Sequence, residues 1–365
     1  MNSFVYIRVH TFTCVPVQVL VDQQMKFDVK FANLDLKKIP DTARRMEALG
    51  FDAAWSWETA HDPFLPLALA AEHTGRISLG TAIAVAFPRS PMLTAQIAWD
   101  LAAQSNGRFI LGLGTQVKAH NERRFSLKWD SPGKRLREVL LALRAIWNCW
   151  QNGGPLNFRG EFYQFTLMTP FFNPGPIAHP NVPIFIAGTN PYLCRLAGEL
   201  ADGLHVHPFH SVKYIREVVL PNIGAGAAAA GRTRAAVQLA SSVFTVTGNT
   251  PEEMAASREA TKSQIAFYAS TPTYRIVLET HGWGEASDRL GQLAREGKWA
   301  EMRNLISDEM LAQFAVTAPL DELAAAMREQ YAGLLDRVGY YESYEPKDEA
   351  EDRWWAESAR VVRRS

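Results

Sequence analysis

The sequence of 365 residues has few cysteines, no excess of charge of either sign and no apolar run long enough to cross a membrane. Its three cysteines, Cys14, Cys149 and Cys194, lie far apart and form no C-x-x-C pair, which argues against a disulfide framework and a cysteine zinc site. Because the 38 basic and 38 acidic residues balance, we expect neither nucleic acid nor membrane as a partner. These absences indicate an ordinary globular protein of the reducing cytoplasm.

The two ends of the chain differ from the rest. The stretch 15–21 is apolar but lacks a small-residue cleavage site, so it is not typical of a signal peptide. Met25 then opens a segment typical of a first strand. We therefore expect residues 1–24 to be an extension outside the fold, with an extra edge strand as the alternative. The main domain should span residues 25–345, and residues 346–365 should form a charged, solvated tail.

Strand-like and helix-like segments alternate through the main domain, and this alternation predicts a parallel sheet. Helical segments with proline in the first turn separate most of the strands. A Gly- and Pro-rich excursion with a short hairpin fills 151–181, and a mostly helical stretch precedes the last strand. The predicted strands are 26–31, 52–58, 77–86, 108–113, 182–187, 203–207, 238–246 and 337–341.

Such a sheet is either an open doubly wound sheet or a closed (β/α)8 TIM barrel with insertions. A doubly wound nucleotide-binding sheet favours G-x-G-x-x-G after an early strand, and the only candidate, GLGTQV at 112–117, lacks the third glycine. We therefore predict the barrel. In a barrel the chemistry lies on the loops that follow the carboxyl ends of the strands, and this rule selects the residues to consider.

The loop after the second strand carries Trp57, Glu58, His61 and Asp62. A carboxylate and an imidazole suit proton transfer, so Glu58 and His61 are candidate catalytic residues. The alternatives are that Asp62 caps the next helix and that Glu58 is a structural hydrogen-bonding residue.

The sixth strand carries His205 and His207, which face the same way because they are two residues apart. An H-x-H pair could bind a metal, as in barrel hydrolases. No further ligands occur at matching spacing, so we predict no metal site.

The third and fourth strands end in small residues. The run 81–86 leaves open space that would admit a flat ring, although any buried parallel strand looks similar. Gly112 and Gly114 permit a close backbone approach. The loop that follows supplies polar groups, among them Thr115, Gln116 and His120.

The fifth strand runs directly into a helix. The exposed amides of Gly188, Thr189 and Asn190 at the start of that helix form a natural phosphate site. An ordinary helix cap by Thr189 or Asn190 explains the same residues equally well.

At these strand ends the chain resembles the luciferase-like monooxygenase superfamily, and within it the actinobacterial oxidoreductases that depend on the deazaflavin coenzyme F420. The resemblance covers nearly all of residues 25–344. The strings LGTAIAVAFPRSPM and GRFILGLG are superfamily-wide signals, whereas ETAHDPF and GTQVKAHNERRF are narrower. AGELADGLHVHPF and STPTYR also match.

The resemblance implies a cofactor ring at the carboxyl mouth of the barrel. Family positions imply that Ala82 and Ile83 form a non-proline cis peptide behind the ring, that His120 lies near the ring, that His207 faces the substrate, and that Glu58 is the acid at the end of the second strand. They also imply that Ala187, Gly188, Thr189 and Asn190 form a phosphate-binding turn. From the residues themselves we add Thr115 and Gln116 as cofactor-binding neighbours of His120, and Trp57 as an aromatic substrate contact. In such enzymes a histidine often follows the acid directly; here Thr59 follows it, and the nearest histidine is His61.

The resemblance implies hydride transfer between F420 and a small organic substrate. An FMN-dependent monooxygenase of the same fold is the alternative, since both rings use the same mouth. A metal-dependent hydrolase and a cofactor-free binding protein are less favoured. Family analogy also implies a homodimer, with the excursion 151–181 available for contacts.

Overall fold

The computed structural model describes residues 24–32 and 35–364, and shows eight parallel strands closed into a barrel. The predicted extension at residues 1–24 lies, except for Gln24, outside the described residues. The barrel strands are β1 (Lys26–Lys30), β2 (Ala53–Ser56), β3 (Ser78–Thr81), β4 (Phe109–Gly114), β5 (Ile184–Ala187), β6 (Gly203–His205), β7 (Gln238–Val246) and β8 (Arg337–Tyr340). Each pairs with the next, and β8 pairs with β1. The predicted TIM barrel is therefore confirmed.

Helices cover the outside of the barrel. Before β7 they are Ile39–Leu49, Leu65–His73, Pro91–Gln104, Lys118–Arg123, Pro132–Asn152, Pro191–Leu200 and a continuous helix over 212–229 with a π-helical centre at Ile215–Val219. After β7 they are Pro251–Ala269, Arg275–Glu279, Gly284–Arg295, Trp299–Met302, Asp308–Phe314, Leu323–Tyr331 and Glu349–Val362. Within residues 24–32 and 35–364, none of the helices has the length and apolar character that a membrane span requires.

Local sequence explains where several helices begin and end. Proline occupies the first turn of helix Pro91–Gln104, and the Ser90 side chain accepts a hydrogen bond from the amide of Met92. Gly50 ends helix Ile39–Leu49 in the left-handed conformation, with φ of 87°. These start and stop signals explain why helices lie between the strands as predicted.

Two strand predictions need correction. The segment predicted as one strand over 77–86 is interrupted after Thr81 and resumes as Ala84–Val85, which pairs with β4. An additional strand, Ala315–Thr317, pairs with the carboxyl end of β7. This strand lies in a region that was predicted to be helical. The predicted hairpin is confirmed as an antiparallel pair between Phe158–Arg159 and Gln164–Phe165.

The prediction of a solvated tail over 346–365 is wrong for most of its length. Helix Glu349–Val362 packs on the barrel and buries Trp355, Ala359 and Val362. The Tyr340 hydroxyl donates to the Ser358 hydroxyl across this contact. Charged residues at helical spacing alternate with these apolar ones, so the segment is an amphipathic helix whose polar face alone is solvated.

The interior of the barrel holds a buried ion pair. Arg337 on β8 donates from Nε and Nη2 to the two carboxylate oxygens of Asp28 on β1, at 2.7 and 2.8 Å. The indole of Trp55 on β2 donates to the same carboxylate at 2.9 Å. Burial raises the pKa of Asp28, and the contact with Arg337 opposes that rise. Three neighbouring strands are thus tied together at one carboxylate.

The glycines of β4 are required by β3. A Cβ atom at Gly112 would lie 1.7 Å from the carbonyl oxygen of Thr81 and 2.9 Å from His205 Nε2. The Thr81 hydroxyl also donates to the Gly112 carbonyl at 2.7 Å. A close backbone approach was predicted at Gly112, and the group that approaches it is the carbonyl of Thr81 on β3.

We therefore expect Gly112→Ala to destabilise the barrel by about 3 kcal/mol, because the extra methyl group overpacks a buried strand contact. The matched control is Gly224→Ala on the outer helix, where a Cβ would meet no atom within 4 Å. There the same change should be neutral or stabilise by roughly 0.5–1 kcal/mol. Urea unfolding monitored by circular dichroism measures both, and equal midpoints for the two variants would contradict the argument.

Candidate active site

The inward faces of the strands define the floor of the carboxyl mouth. Because strand residues alternate in direction, positions two residues beyond an inward-facing residue also face inward. Asp28, Trp55 and Phe185 face the barrel interior, since Trp55 contacts both of the others. By the same alternation Lys30, Trp57 and Ala187 belong to the next layer up, at the mouth.

An apolar platform covers the β3, β4 and β5 side of the mouth. The peptide bond between Ala82 and Ile83 is cis, as predicted. The Ile83 side chain lies over Gly114, where a Cβ would come within 2.8 Å of it and 3.6 Å from the Cβ of Ala187. The structure thus brings together Ile83 and Ala187, two of the residues predicted to bind the cofactor.

Glu58 holds the interrupted strand in place. Its carboxylate accepts hydrogen bonds from the amide of Val85 at 2.7 Å and from both terminal nitrogens of Arg89 at 2.8 and 3.1 Å. Its own amide donates to the carbonyl of Ile83 at 3.1 Å. Glu58 is 8% exposed, so these contacts are shielded from water. The structural alternative foreseen for Glu58 is therefore present in the fold.

Arg89 joins this network to the loop after β2. Its second nitrogen contacts Asp62 at 2.8 Å, and the other oxygen of Asp62 accepts the amides of Phe64 and Leu65 at the start of the next helix. Burial lowers the pKa of Arg89, but its bonds to Glu58 and Asp62 outweigh this and raise it overall. Asp62 thus binds the amides that open this helix, as the capping alternative expects, although Phe64 and not Asp62 occupies the N-cap position of helix Leu65–His73.

His61 lies on the exposed loop after β2, and His120 lies on the short exposed helix Lys118–Arg123. Arg124, which follows this helix, donates to the carbonyl of Thr59 and so links the helix to the loop. Neither imidazole forms a hydrogen bond with another described residue, and both are exposed. Both rings are therefore accessible from solvent at the rim of the mouth.

The loop after β4 is organised by a residue that sequence reasoning missed. Asn121 is buried, and its side-chain amide donates to the carbonyls of Thr115 and Val117 at 2.9 and 3.1 Å. Gln116 adopts a left-handed φ of 57°, and its side chain accepts the amide of Val117. The polar groups of Thr115 and Gln116 thus serve the loop itself. An asparagine in a short polar run gives no sequence signal for this role.

The turn after β5 leaves backbone donors free. Asn190 caps helix Pro191–Leu200 by accepting the amide of Leu193 at 2.9 Å. The amides of Gly188, Thr189 and Asn190 donate to no other described residue. The Tyr214 hydroxyl donates to the carbonyl of Thr189 and holds the turn in position. The predicted cap is therefore confirmed, and the amides remain available to an anion.

The turn Pro272–Tyr274 is brought to the same place. The Thr189 hydroxyl donates to the carbonyl of Thr273 at 3.3 Å. This turn belongs to the STPTYR string, whose location the strand pattern could not predict because it lies in the long segment between β7 and β8.

His207 lies in an aromatic enclosure. Its ring stacks on Tyr274 at 4.2 Å between centroids and meets Tyr268 edge-on at 4.6 Å. Its Nδ1 accepts the amide of Phe209 at 3.1 Å. Burial lowers the pKa of His207 to about 3, and His210 contributes to the shift. His207 is therefore uncharged at neutral pH.

The other two histidines of this segment are structural. His205 meets Trp55 edge-on at 4.8 Å, and burial lowers its pKa to about 3. His210 contacts the carbonyl of His207 through Nδ1 at 2.8 Å, and burial lowers its pKa to about 4. In the part of the chain that the structure describes, no three histidine, cysteine or acidic side chains are grouped to hold a metal ion.

A charged group that sequence reasoning missed lies beside this enclosure. The Lys30 ammonium donates to the carbonyl of Tyr341 and lies 4.5 Å from the centroid of its ring. The Tyr341 hydroxyl is 2.8 Å from that of Tyr268. The Thr245 hydroxyl donates to Glu342 at 3.1 Å. A lysine at the end of a strand is usually solvated, which is why the sequence gave no reason to select Lys30.

A depression of about 780 Å³ lies at the opposite, amino end of the barrel. Its arginines are already engaged: Arg144 contacts Asp202 and the carbonyl of Val182, and Arg232 donates to the carbonyls of Gly198 and Ala201. The free amides and the exposed histidines lie at the other end. We therefore place the candidate active site at the carboxyl mouth.

The buried histidines make stability depend on pH. An unfolded histidine titrates near pH ~6.5, whereas burial lowers the pKa of His205, His207 and His210 to about 3, 3 and 4. The unfolded chain therefore binds more protons below pH ~6.5, and their contribution, complete above that pH, is lost as the pH falls toward ~4. We expect the free energy of unfolding to fall between pH 7 and pH 5.

His210→Asn keeps a donor toward the carbonyl of His207 but does not titrate. With this substitution, unfolding should take up about one proton fewer. The slope of the free energy of unfolding against pH should therefore be smaller by ~1.4 kcal/mol per pH unit. Urea unfolding at pH 5, 6 and 7 measures the slope. His120→Asn, on the exposed helix Lys118–Arg123, is the control and should leave the slope unchanged. An unaltered slope in His210→Asn would show that this histidine titrates in the native protein.

The chain is similar in sequence to proteins of bacteria and archaea. An uncharacterized protein of Mycobacterium tuberculosis is 48% identical over 316 residues, covering 87% of this chain and 93% of its own length. A 5,10-methylenetetrahydromethanopterin reductase of Archaeoglobus fulgidus is 28% identical over 317 residues, covering 84% and 90%.

Two solved structures illustrate the range of the fold. The coenzyme F420 dependent tetrahydromethanopterin reductase of Methanopyrus kandleri matches with a TM-score of 0.71 and 22% identity, over 93% of this chain and 97% of that one. The oxygenating constituent of 3,6-diketocamphane monooxygenase of Pseudomonas putida, in complex with FMN, matches with a TM-score of 0.61 and 17% identity, over 93% and 97%. The luciferase-like monooxygenase family profile matches residues 7–337, and the chain belongs to this family of oxidoreductases.

Proposed function

We propose that the protein is an F420-dependent oxidoreductase that transfers hydride between the deazaflavin and a small organic substrate. The observation that carries the proposal is the proximity of two features on β5, namely the apolar platform at Ala187 and the free amides of the next three residues. A flat ring with a phosphate-bearing chain fits such a combination. The similar reductase of Methanopyrus kandleri is named as coenzyme F420 dependent, and this favours F420 over FMN.

The residues present fit this cofactor. Ala82, Ile83 and Ala187 would support the ring, with Gly114 leaving room above β4. The amides of 188–190 would hold the phosphate at a helix amino terminus, where the helix dipole favours an anion. Thr115, Gln116 and His120 would line the polar chain between ring and phosphate. When bound, a deazaflavin supplies a carbon that accepts or donates two electrons and a hydrogen as hydride.

The substrate would lie on the side of the mouth opposite the platform. His207, uncharged at neutral pH, would orient it through the free Nε2, since Nδ1 already accepts a backbone amide. Trp57 and Tyr274 add apolar surface on either side and would exclude water. These groups bind and orient the substrate and do not exchange protons.

The two candidate catalytic residues after β2 receive different roles. Both oxygens of Glu58 are bound to Arg89, so Glu58 acts as a positioning residue that holds the backbone around Ile83. His61 is exposed at the rim and free to exchange a proton with solvent and substrate. The proton role proposed for this loop therefore falls to His61.

A homodimer is proposed on the exposed apolar surface of the excursion 151–181. Leu167, Phe171 and Phe172 are 74%, 89% and 66% exposed. Neighbouring aromatic side chains with so little cover are typical of a surface that another protein buries.

Cofactor identity and the phosphate turn are tested together by titrating the protein with F420 and with FMN, followed by fluorescence. We expect F420 to bind more tightly. Asn190→Asp should weaken F420 binding by about tenfold, because it adds a negative charge beside the phosphate. Stability should be unchanged, since aspartate caps a helix as well as asparagine.

The control is Ser307→Asp, which places the same charge at the cap of helix Asp308–Phe314, where Ser307 accepts the amide of Met310. It should leave F420 affinity unchanged. Tighter binding of FMN than F420 would favour the monooxygenase alternative, and equal F420 affinity in Asn190→Asp and wild type would remove the phosphate from this turn.

The roles of His61 and Glu58 predict different defects. His61→Ala should lower turnover at least tenfold and remove one limb of the pH profile, with F420 affinity and stability retained. Glu58→Gln should lose on the order of 2 kcal/mol of stability, because it removes a charge-assisted contact with Arg89, and should weaken F420 binding without moving the pH profile. Steady-state kinetics at several pH values and urea unfolding distinguish the two. A shifted pH profile in Glu58→Gln would return the proton role to Glu58.

A further inference from the structure

Lys30 occupies the inward face of the mouth at a position that the proposed function leaves unused. Asp28 faces the barrel interior, where it binds Arg337 and Trp55, so Lys30 two residues later faces the same way one layer nearer the mouth. Its contact with the ring and carbonyl of Tyr341, four residues after Arg337 on β8, agrees with this direction.

The Lys30 ammonium is incompletely satisfied. An ammonium carries three hydrogen-bond donors, and among the described residues Lys30 donates only to the carbonyl of Tyr341. Glu342 interacts with it electrostatically, but no carboxylate oxygen of the described residues lies within 4 Å of its nitrogen. Below it, Asp28 is already occupied by Arg337. At least one donor is therefore free to point into the mouth.

The groups around Lys30 are aromatic, apart from the carboxyl group of Glu342. The register of the sheet places it beside Trp55 of β2, and Trp57 follows on the same inward face; neither residue titrates. From β8 it faces Tyr341 and Glu342, and the Tyr341 hydroxyl bonds to Tyr268, which in turn packs on His207. Lys30, Tyr341, Tyr268 and His207 form one continuous surface, here called the tyrosine wall.

Lys30 and Tyr341 of the tyrosine wall lie across the mouth from the platform, whereas His207, after β6, lies next to β5. In an eight-stranded barrel β1 is opposite β5 and β8 is opposite β4, and the strands of this barrel follow that order. A flat ring on the platform and a substrate against the wall would therefore lie face to face. Lys30 is then the cationic donor on the substrate's far side.

We propose that Lys30 binds the oxygen of a carbonyl substrate, so that the enzyme interconverts an aromatic ketone or aldehyde with the corresponding alcohol. This inference rests on the proposed function. On reduction, hydride adds to the carbonyl carbon, the C=O π electrons move to oxygen, and the Lys30 ammonium stabilises the resulting oxyanion. The oxygen then takes one proton from His61, which regains it from solvent. Oxidation of the alcohol follows the reverse course.

The electrostatics of the site suit this role. Burial lowers the pKa of Lys30 to about 8, and Glu342 opposes the shift. Burial raises the pKa of Glu342, and Thr245 and Lys30 oppose that rise. The ammonium is thus charged at neutral pH yet weakly solvated, and a fixed, poorly solvated donor stabilises an oxyanion more strongly than one in water.

Kinetics of ketone reduction test the role with acetophenone as probe and reduced F420 as the hydride source. Lys30→Met, which keeps the apolar stem, should lower kcat/KM about 100-fold, as loss of an oxyanion donor does elsewhere. F420 affinity should be unchanged. Activity of the wild type should fall above about pH 8, where Lys30 loses its proton. Lys30→Arg should retain part of the activity and extend it to higher pH, because arginine stays charged.

Lys26→Met is the matched control, since Lys26 is exposed at the other end of the same strand. It should leave kinetics unchanged. Wild-type kcat/KM in Lys30→Met, or an alkaline limb that Lys30→Arg does not move, would overturn the inference. If F420 binds but acetophenone, benzaldehyde and 1-phenylethanol are all inert, the inference is overturned while the proposed function stands.

A second measurement needs no turnover. Trace acetylation with acetic anhydride, read by peptide mass spectrometry with and without F420, compares Lys30 and Lys26 in one sample. Benzamide, an unreducible carbonyl compound, should slow acetylation of Lys30 in proportion to its occupancy and leave Lys26 unaffected. Absence of protection in both conditions would overturn the inference, whereas protection together with failure to bind F420 would support the carbonyl contact and refute the proposed cofactor.

Discussion

The carboxylate of Asp28 is the contact on which the layers of the barrel depend. Arg337 and Asp28 are 309 residues apart, and their pairing joins the last strand to the first inside the barrel. A buried ion pair is costly unless its hydrogen bonds are complete, and here Trp55 supplies a further donor. These three side chains fill the middle of the barrel. Lys30 and Trp57, two positions further along the chain than Asp28 and Trp55, therefore lie at the mouth.

The alternation of strand and helix patterns along the chain was sufficient to predict the barrel, but not to predict where its strands are interrupted. Eight strand segments and the helices between them could be predicted because burial on both faces leaves continuous apolar runs. The break in the third strand could not be predicted from its composition, since Glu58 and Arg89, which hold its two parts, are 31 residues apart. The strand Ala315–Thr317 is too short to interrupt a helical pattern. The helix Glu349–Val362 was mistaken for a tail because its charges hid its apolar face.

The candidate site could be predicted where the role of a residue depends only on the local backbone structure around it. The turn at 188–190 could be found because a strand running into a helix always leaves amides exposed. Lys30 could not, because its environment is made by Tyr341 and Tyr268, which are distant in sequence. Glu58 was selected for its residue type, yet its role depends on Arg89, which no local pattern identifies as its partner.

The two sides of the mouth are built from different parts of the chain, and in the proposed function this would separate cofactor from substrate. The platform and the turn proposed to hold the phosphate come from β3, β4 and β5 with their short following loops. The tyrosine wall takes Tyr268 from the long segment between β7 and β8, which also delivers Tyr274 onto His207. Changes in that segment can reshape the substrate side while the platform, locked by Gly112 and Glu58, stays fixed. One barrel can in this way retain a ring-binding surface and present different walls to different substrates.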